Sequence, residues 1–145
     1  MKKIQLAFFF FFLGTVCAFA QREYHNKLSS NNVSAITEDR QGFLWIATSH
    51  GLNRFDGNTY ISFSAGEGQT ALPNDNLGNL LVDSQGHLWM SSESGLSERT
   101  PQTFRHPENT SFVLYNTLYE WSDRELVSLT RQGLVLIDKQ TFRET

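Results

Sequence analysis

Cysteine is almost missing from this chain: Cys17 is the only one. One thiol makes no intramolecular disulfide, and its place near the start leaves the rest of the chain without thiolate chemistry. A basic excess is missing as well. The formal charge is −3, with 12 Lys and Arg against 15 Asp and Glu. Neither sign gathers into a block, so nucleic acid meets no basic stripe and anionic lipid no polybasic patch. No stretch keeps a helical period over a useful length, which disfavours leucine-rich and helical solenoids. Local signatures of chemistry are also lacking. His25, His50, His87 and His106 are too scattered for an H-E-x-x-H metal motif, and no G-x-S-x-G nucleophile elbow occurs. Gly66-Glu67-Gly68 lies in a loop, not between a strand and a helix, so it is no phosphate cradle. The expectation is a chain with no catalytic residues, no metal site and no cofactor.

One long apolar run is present, at the start. Lys2 and Lys3 precede Ile4 to Val16, which includes five consecutive phenylalanines at Phe8 to Phe12. Ala18-Phe19-Ala20 then supplies the small-x-small pattern that signal peptidase accepts, so residues 1–20 read as a signal peptide cleaved before Gln21. The run is shorter than the roughly 20 apolar residues of a membrane-spanning helix. An uncleaved anchor and lipid attachment at Cys17 are the minor alternatives. Cleavage removes two lysines and the only cysteine, taking the formal charge from −3 to −5.

Self-comparison is the most informative operation on the remainder. Leu28 to Tyr60 aligns with Leu72 to Phe104 without a gap, at a spacing of 44 residues. Asp39 meets Asp83, Gln41-Gly42 meets Gln85-Gly86, and Leu44-Trp45 meets Leu88-Trp89. Gly51-Leu52 meets Gly95-Leu96, and Thr59-Tyr60 meets Thr103-Phe104. A degenerate third copy follows 38 residues on, matching at Thr130, Gly133-Leu134 and Thr141-Phe142-Arg143. There Val127 stands at the tryptophan position and Arg124 at the turn glycine.

Within a copy the pattern is β. Val33 to Glu38 reads as a strand closed by the turn Asp39 to Gly42, and Phe43 to Thr48 as a second strand, apolar on both sides of the pleat. Ser49-His50-Gly51 turns into Leu52 to Phe55, and Asp56-Gly57 is a hairpin signal ahead of Thr59 to Phe63. Four short antiparallel strands in about 40–45 residues make one blade of a β-propeller. The expected fold is therefore all-β: an incomplete propeller of two to three blades, at residues 21–71, 72–111 and, degenerate, 112–145.

Trp45 and Trp89 admit two readings, a platform for stacking a sugar ring or packing between blades. Their mid-strand position favours packing, as it does for Tyr60 and Phe104. Glu38, Asp39, Asp83 and Asp123 fall at turns between first and second strands, where carboxylates do turn work.

The pattern L-x-x-N-x-V-x-x-I-x-x-D-x-x-G-F-L-W-I-x-T-x-x-G-L-x-R-F-D-G over Leu28 to Gly57 resembles the two-component regulator propeller repeat. Leu72 to Leu96 follows it with Met90 and Ser92 in place of the isoleucine and threonine. The resemblance implies the periplasmic sensor region of a bacterial hybrid two-component system, in which tandem propellers, an immunoglobulin-like domain and a membrane helix precede a histidine kinase. It further implies an inner-membrane-anchored homodimeric parent that senses oligosaccharides. This chain carries no kinase motif, nucleotide-binding glycines or receiver aspartate, so it is expected to be a non-enzymatic, truncated or remnant segment. A structural or protein-binding propeller is the alternative, and a propeller lyase or glycosidase fragment a more distant one.

In propellers, the loop leading into each first strand shares a face with the turn between second and third strands. The candidate ligand residues on that face are Asn31, Asn32, Ser49 and His50 in the first copy, and Asn76 and Glu93 in the second. Asparagine and serine are also ordinary turn formers. His50 is the sharpest candidate, since neither turn nor core requires an imidazole there. The glycine-rich loop Ser64 to Ala71 is expected to be mobile and to cover a ligand. Taken alone, the chain is expected to leave bare apolar faces at Leu44/Ile46 or Trp45/Ala47 and near Val135 and Ile137.

Overall fold

Short apolar runs separated by glycine-containing turns give strands and no helix among the described residues, which in the computed structural model are 23–25, 27–67, 71–107, 117–131 and 133–144. The proposed leader, residues 1–20, lies outside them. In the first copy the strands are β1 (Glu23–His25), β2 (Val33–Glu38), β3 (Leu44–Thr48), β4 (Gly51–Phe55) and β5 (Tyr60–Phe63). They form one antiparallel sheet in the order β1-β5-β4-β3-β2. The second copy holds β6 (Leu77–Val82), β7 (Leu88–Ser92), β8 (Gly95–Arg99) and β9 (Phe104–Arg105), a four-stranded meander. The third holds β10 (Tyr119–Glu120), β11 (Glu125–Thr130) and β12 (Gly133–Asp138). The fold is an all-β incomplete propeller.

Two details depart from the repeat pattern. β1 adds a fifth strand along the outer edge of the first sheet, pairing Tyr24 with Ile61, although no turn signal announces it. In the third copy the expected fourth strand shrinks to the single bridge Ile137–Glu144. Phe142 precedes it at φ 57°, a left-handed conformation that breaks the extended chain.

The register repeats through the degenerate copy: Trp45 faces Arg54, Trp89 faces Glu98, and Val127 faces Leu136. Alternation along each strand then sends successive side chains to opposite faces. Trp45, Ala47 and Leu52 pack against Leu77, Leu88, Met90 and Phe104 of the second sheet. From the other face of that sheet, Trp89 and Leu96 pack against Leu118, Leu126 and Ile137 of the third. Every residue of β7 is therefore buried, which is why Leu88 to Ser92 shows no polar alternation. The tryptophans are core, with 6% exposure at Trp45 and 1% at Trp89.

Trp45 and Trp89 are each anchored by the aspartate six residues before them. Trp45 Nε1 donates to Asp39 Oδ2 at 2.7 Å and Trp89 Nε1 to Asp83 Oδ2 at 3.0 Å. The other oxygen closes the turn, accepting from the amides of Gln41 and Phe43 in one copy and of Gln85 and His87 in the next. In the third copy Trp121 stands at the aspartate position and is exposed, while Val127 stands at the tryptophan position, so both partners are gone together. Lys139 compensates at that junction. Its Nζ reaches from the third sheet to Asp83 Oδ2 at 3.0 Å and lies 2.6 Å from Glu120 Oε1.

The bare faces differ from expectation. Trp45 and Ala47 face the second sheet; the side turned away carries Ile36, Ile46 and Asn53. Residues 27–30 partly cover it, because Ser29 N donates to Asn53 Oδ1 at 3.0 Å and Asn53 Nδ2 donates to Ser29 Oγ at 2.8 Å. Asn53 is fully buried, whereas Ile36 stays 62% exposed. At the far end Ile137 is buried and Val135 packs beside it. The exposed side chains there are Tyr119, Leu129 and Leu134, because the β11–β12 register turns those positions outward.

Two outcomes follow from this packing. Trp89→Ala is expected to lower the unfolding free energy by about 3–5 kcal/mol, the range for emptying an aromatic core site, measured by urea denaturation of the full chain. The second outcome concerns acid. Burial pushes the Asp83 carboxyl up, but hydrogen bonds from Trp89, the His87 amide and Lys139, with the Lys139 charge, outweigh it and hold it at about 2. Glu120 is lowered by the same balance, its hydrogen bonds to Lys139 and Ser84 outweighing burial. Folded values below the unfolded ones of about 4 stabilise above about pH 4, and this is lost as the pH falls toward about 2. Urea midpoints at pH 6 and pH 3 are expected to diverge in the native chain. In Lys139→Met the pH 6 midpoint should fall and the divergence narrow.

Candidate ligand-binding site

The loops leading into β2 and β6 meet the β3–β4 and β7–β8 turns at one end of the sheets. In all three copies the turn is built the same way. Thr48, Ser92 and Thr130 each donate a hydroxyl to the carbonyl of the following glycine, at Gly51, Gly95 and Gly133. Gly51 sits at φ 103°, and a Cβ there would stand 2.3 Å from the Phe63 carbonyl oxygen, so only glycine fits. Its amide donates to Asp75 O at 2.8 Å, tying the first copy's turn to the second copy's loop.

Around this frame the candidate residues of each copy gather in pairs. Ser49 N donates to Asn32 O at 3.1 Å, and the Ser30 and Ser49 hydroxyls lie 3.1 Å apart. The Ser49 hydroxyl is also 3.0 Å from His50 Nδ1, leaving the far side of an exposed imidazole toward solvent. In the second copy Asn76 Nδ2 donates to Glu93 Oε1 at 3.3 Å, and Asn74 Nδ2 donates to Ser94 Oγ at 3.2 Å. Asn31, Asn32, Asn76 and Glu93 are exposed, and Ser49 is half-buried. The result is a polar rim of hydroxyls, amides, an imidazole and a carboxylate, joined across the copies by the Gly51–Asp75 bond.

The loop after β5 was expected to cover a ligand. Its residues 68–70 lie outside the described set. Its described flanks are tied down, Ala65 N to Asp75 Oδ1 at 2.5 Å and Leu72 N to Ser64 O at 3.0 Å. Leu72 is core.

The opposite ends of the strands hold a second group of polar side chains that no motif marked. A cavity of about 410 Å³ opens between the second and third sheets, lined by His87, Trp89, Glu98, Arg105, Arg124 and Lys139 among others. Arg105 Nη1 donates to Glu98 Oε2 at 2.7 Å, and Arg124 Nε to Asp138 Oδ2 at 2.8 Å. His87 Nδ1 lies 3.4 Å from Asp83 Oδ2 and 3.9 Å from Glu98 Oε1. Hydrogen bonds from Arg124 and from the Thr141 amide and hydroxyl hold Asp138 well below the usual carboxylate range. The only sequence signal for this cluster was negative: these positions break the resemblance between copies.

Comparison with known proteins bears on the fold just described. Residues 27–50 match the model of the two component regulator propeller family. Comparison with curated protein sequences yields no match. A solved extracellular domain assigned to a hybrid two component system of B. thetaiotaomicron is similar over 86% of this chain, at 26% identity and a TM-score of 0.66. Two structures of another extracellular domain from that organism, assigned to a one component or hybrid two component system, superpose with TM-scores of 0.64 and 0.63 at 18% and 19% identity, and share the fold. The chain spans about a fifth of the length of these structures. In its matched repeat, its registered copies and its shared blades, the chain is similar to the two-component regulator propellers.

Proposed function

We propose that this chain is a ligand-sensing propeller segment of the extracytoplasmic part of a two-component signal-transduction system. Residues 1–20 direct its export to the periplasm, and its ligands are oligosaccharides bound along the rim that carries His50. The parent is a membrane-anchored homodimer, and phosphotransfer takes place in other parts of it. The observation that carries the reading is the likeness over 86% of the chain to an extracellular domain assigned to a hybrid two component system.

The rim supports the ligand class on chemical grounds. A sugar hydroxyl both donates and accepts, and the rim offers both functions at close spacing through Ser49, His50, Asn76 and Glu93. Mutual hydrogen bonds hold Asn76 to Glu93 and Ser49 to His50, which reduces the side-chain entropy lost on binding. The buried tryptophans take no part.

His50→Ala tests this reading against a panel of oligosaccharides released from polysaccharides, with binding followed by calorimetry. Stability should change by less than about 0.5 kcal/mol, as expected for an exposed turn residue. Affinity for the recognised oligosaccharide should weaken by about 1 kcal/mol, the net worth of a hydrogen bond. Equal affinity of the variant for every sugar bound by the native chain would take His50 off the site.

A further inference from the structure

The first gap, between the first and second sheets, and the second gap, between the second and third, are each closed by two unlike faces. The forward face, turned toward the next sheet, carries Trp45, Ala47 and Leu52 in the first copy and Leu81, Trp89 and Leu96 in the second. The receiving face carries Leu72, Leu88 and Met90 in the second copy and Leu118 and Leu126 in the third. Among the described residues, one face of each kind has no sheet packed on it. On the third sheet, Tyr119, Val127, Leu129, Leu134 and Leu136 share one side by register and stand at forward-face positions of the repeat. Tyr119 is 64% exposed and Leu134 76%. On the first sheet, Leu28, Ile36 and Leu44 stand at the receiving-face positions of Leu72, Leu80 and Leu88. Ile36 is exposed, and Leu28 and Leu44 are half-buried where Leu72 and Leu88 are core.

We propose that a second copy of this chain covers both faces, the third sheet of each copy packing on the first sheet of the other, so that two chains of three sheets close one ring of six. The occupant follows from the repeat. Every internal junction sets a forward face on a receiving face, and the receiving face that this chain offers outward is that of its own first sheet. Residue sizes fit the same pairing. Val127 replaces the tryptophan, but Leu129 stands where Ala47 and Ser91 do, and Leu136 where Arg54 and Glu98 do. Two aliphatic side chains thus return bulk lost with the indole, and no charge at the Arg54 position has to be buried. Residues 27–30 do not obstruct the contact, because they are the counterparts of 71–74, and Leu72 lies in the core of the first gap. The backbone tie between sheets has counterparts as well. The Gly51 amide donates to Asp75 O, and the equivalent pair at the new junction is Gly133 of one copy and Asn31 of the other. A head-to-tail contact grows into a filament unless rotation closes it. Six sheets lie within the roughly four to eight of closed propellers, and closure removes both apolar faces from water. The inference concerns sheet faces only and does not depend on the rim or its ligand.

Sedimentation velocity of the full chain and of two single variants tests it. The native chain is expected at twice its monomer mass across a wide range of concentration, with no larger species. Leu134→Glu charges the forward face and Ile36→Lys the receiving face. Both side chains are exposed, so each variant should keep its strand content by circular dichroism and sediment as a monomer. Mixed in equal amounts, the two variants should recover the dimer. One contact of the mixed pair then has the native residues at both positions, and the other opposes charges of unlike sign. The milder Leu134→Ser and Ile36→Ser serve if a charged variant loses its strands. A monomeric native chain overturns the proposal and leaves these faces to a different sheet or partner. Growth to larger species overturns it too, since the ring would then not close. So does a dimer unaltered in both variants, one lost in Leu134→Glu and kept in Ile36→Lys, or one that mixing does not recover.

Discussion

The carboxylate of Asp83 does three things at one place. One oxygen caps the backbone of the turn between β6 and β7, and the other holds the indole of Trp89 and the ammonium of Lys139 from the next sheet. Local turn geometry, the seating of the largest core side chain and the junction between sheets are thereby coupled through one buried group. A buried carboxylate is costly unless its acceptor capacity is filled, and here it is filled by amide, indole and ammonium donors. Asp39 and Trp45 repeat the first two functions in the first copy. The third copy has neither partner, and the sheet there still keeps register, because its inward face is apolar at Leu126 and Ile137.

Burial on both faces is the constraint that makes these sheets read as they do. The second sheet is covered on either side, and its central strand contains no exposed residue. Among the described residues, each of the outer two sheets packs against another sheet on one face only. Residues 27–30 shield part of the first through Ser29 and Asn53, while Tyr119, Leu129 and Leu134 on the third meet solvent. Apolar patches of that kind are where soluble proteins make further contacts.

A repeat supplies its own controls. Positions equal in both full copies, such as the Asp–Trp pair and the turn glycines, serve the fold. Positions that differ between equivalent gaps are released from that duty. The rim and the second-gap cavity are both of this kind, Ser49-His50 standing where the next copy has Glu93-Ser94, and His87 where the previous one has Phe43. They lie at opposite ends of the strands, so one blade can present two chemically distinct surfaces without altering its core.

The repeat spacing, the strands and the packing role of Trp45 and Trp89 were all legible in the chain, because they rest on local turn chemistry and on alternation along single strands. So was the meeting of each loop with its turn, which follows from blade topology. β1 was not legible, since its pairing with β5 is decided by the edge it finds and not by any signal in Glu23–His25. Nor was the outward direction of Leu134 rather than Val135, which depends on a register that shifts every side chain by one face. The Lys139–Asp83 contact joins residues far apart in sequence, and only the stacking of the third sheet on the second brings them together. Sequence by itself determined what each blade is; the cavity between blades exists only once two blades are placed face to face, because His87, Glu98 and Arg105 line it from the second sheet and Asp123, Arg124 and Lys139 from the third.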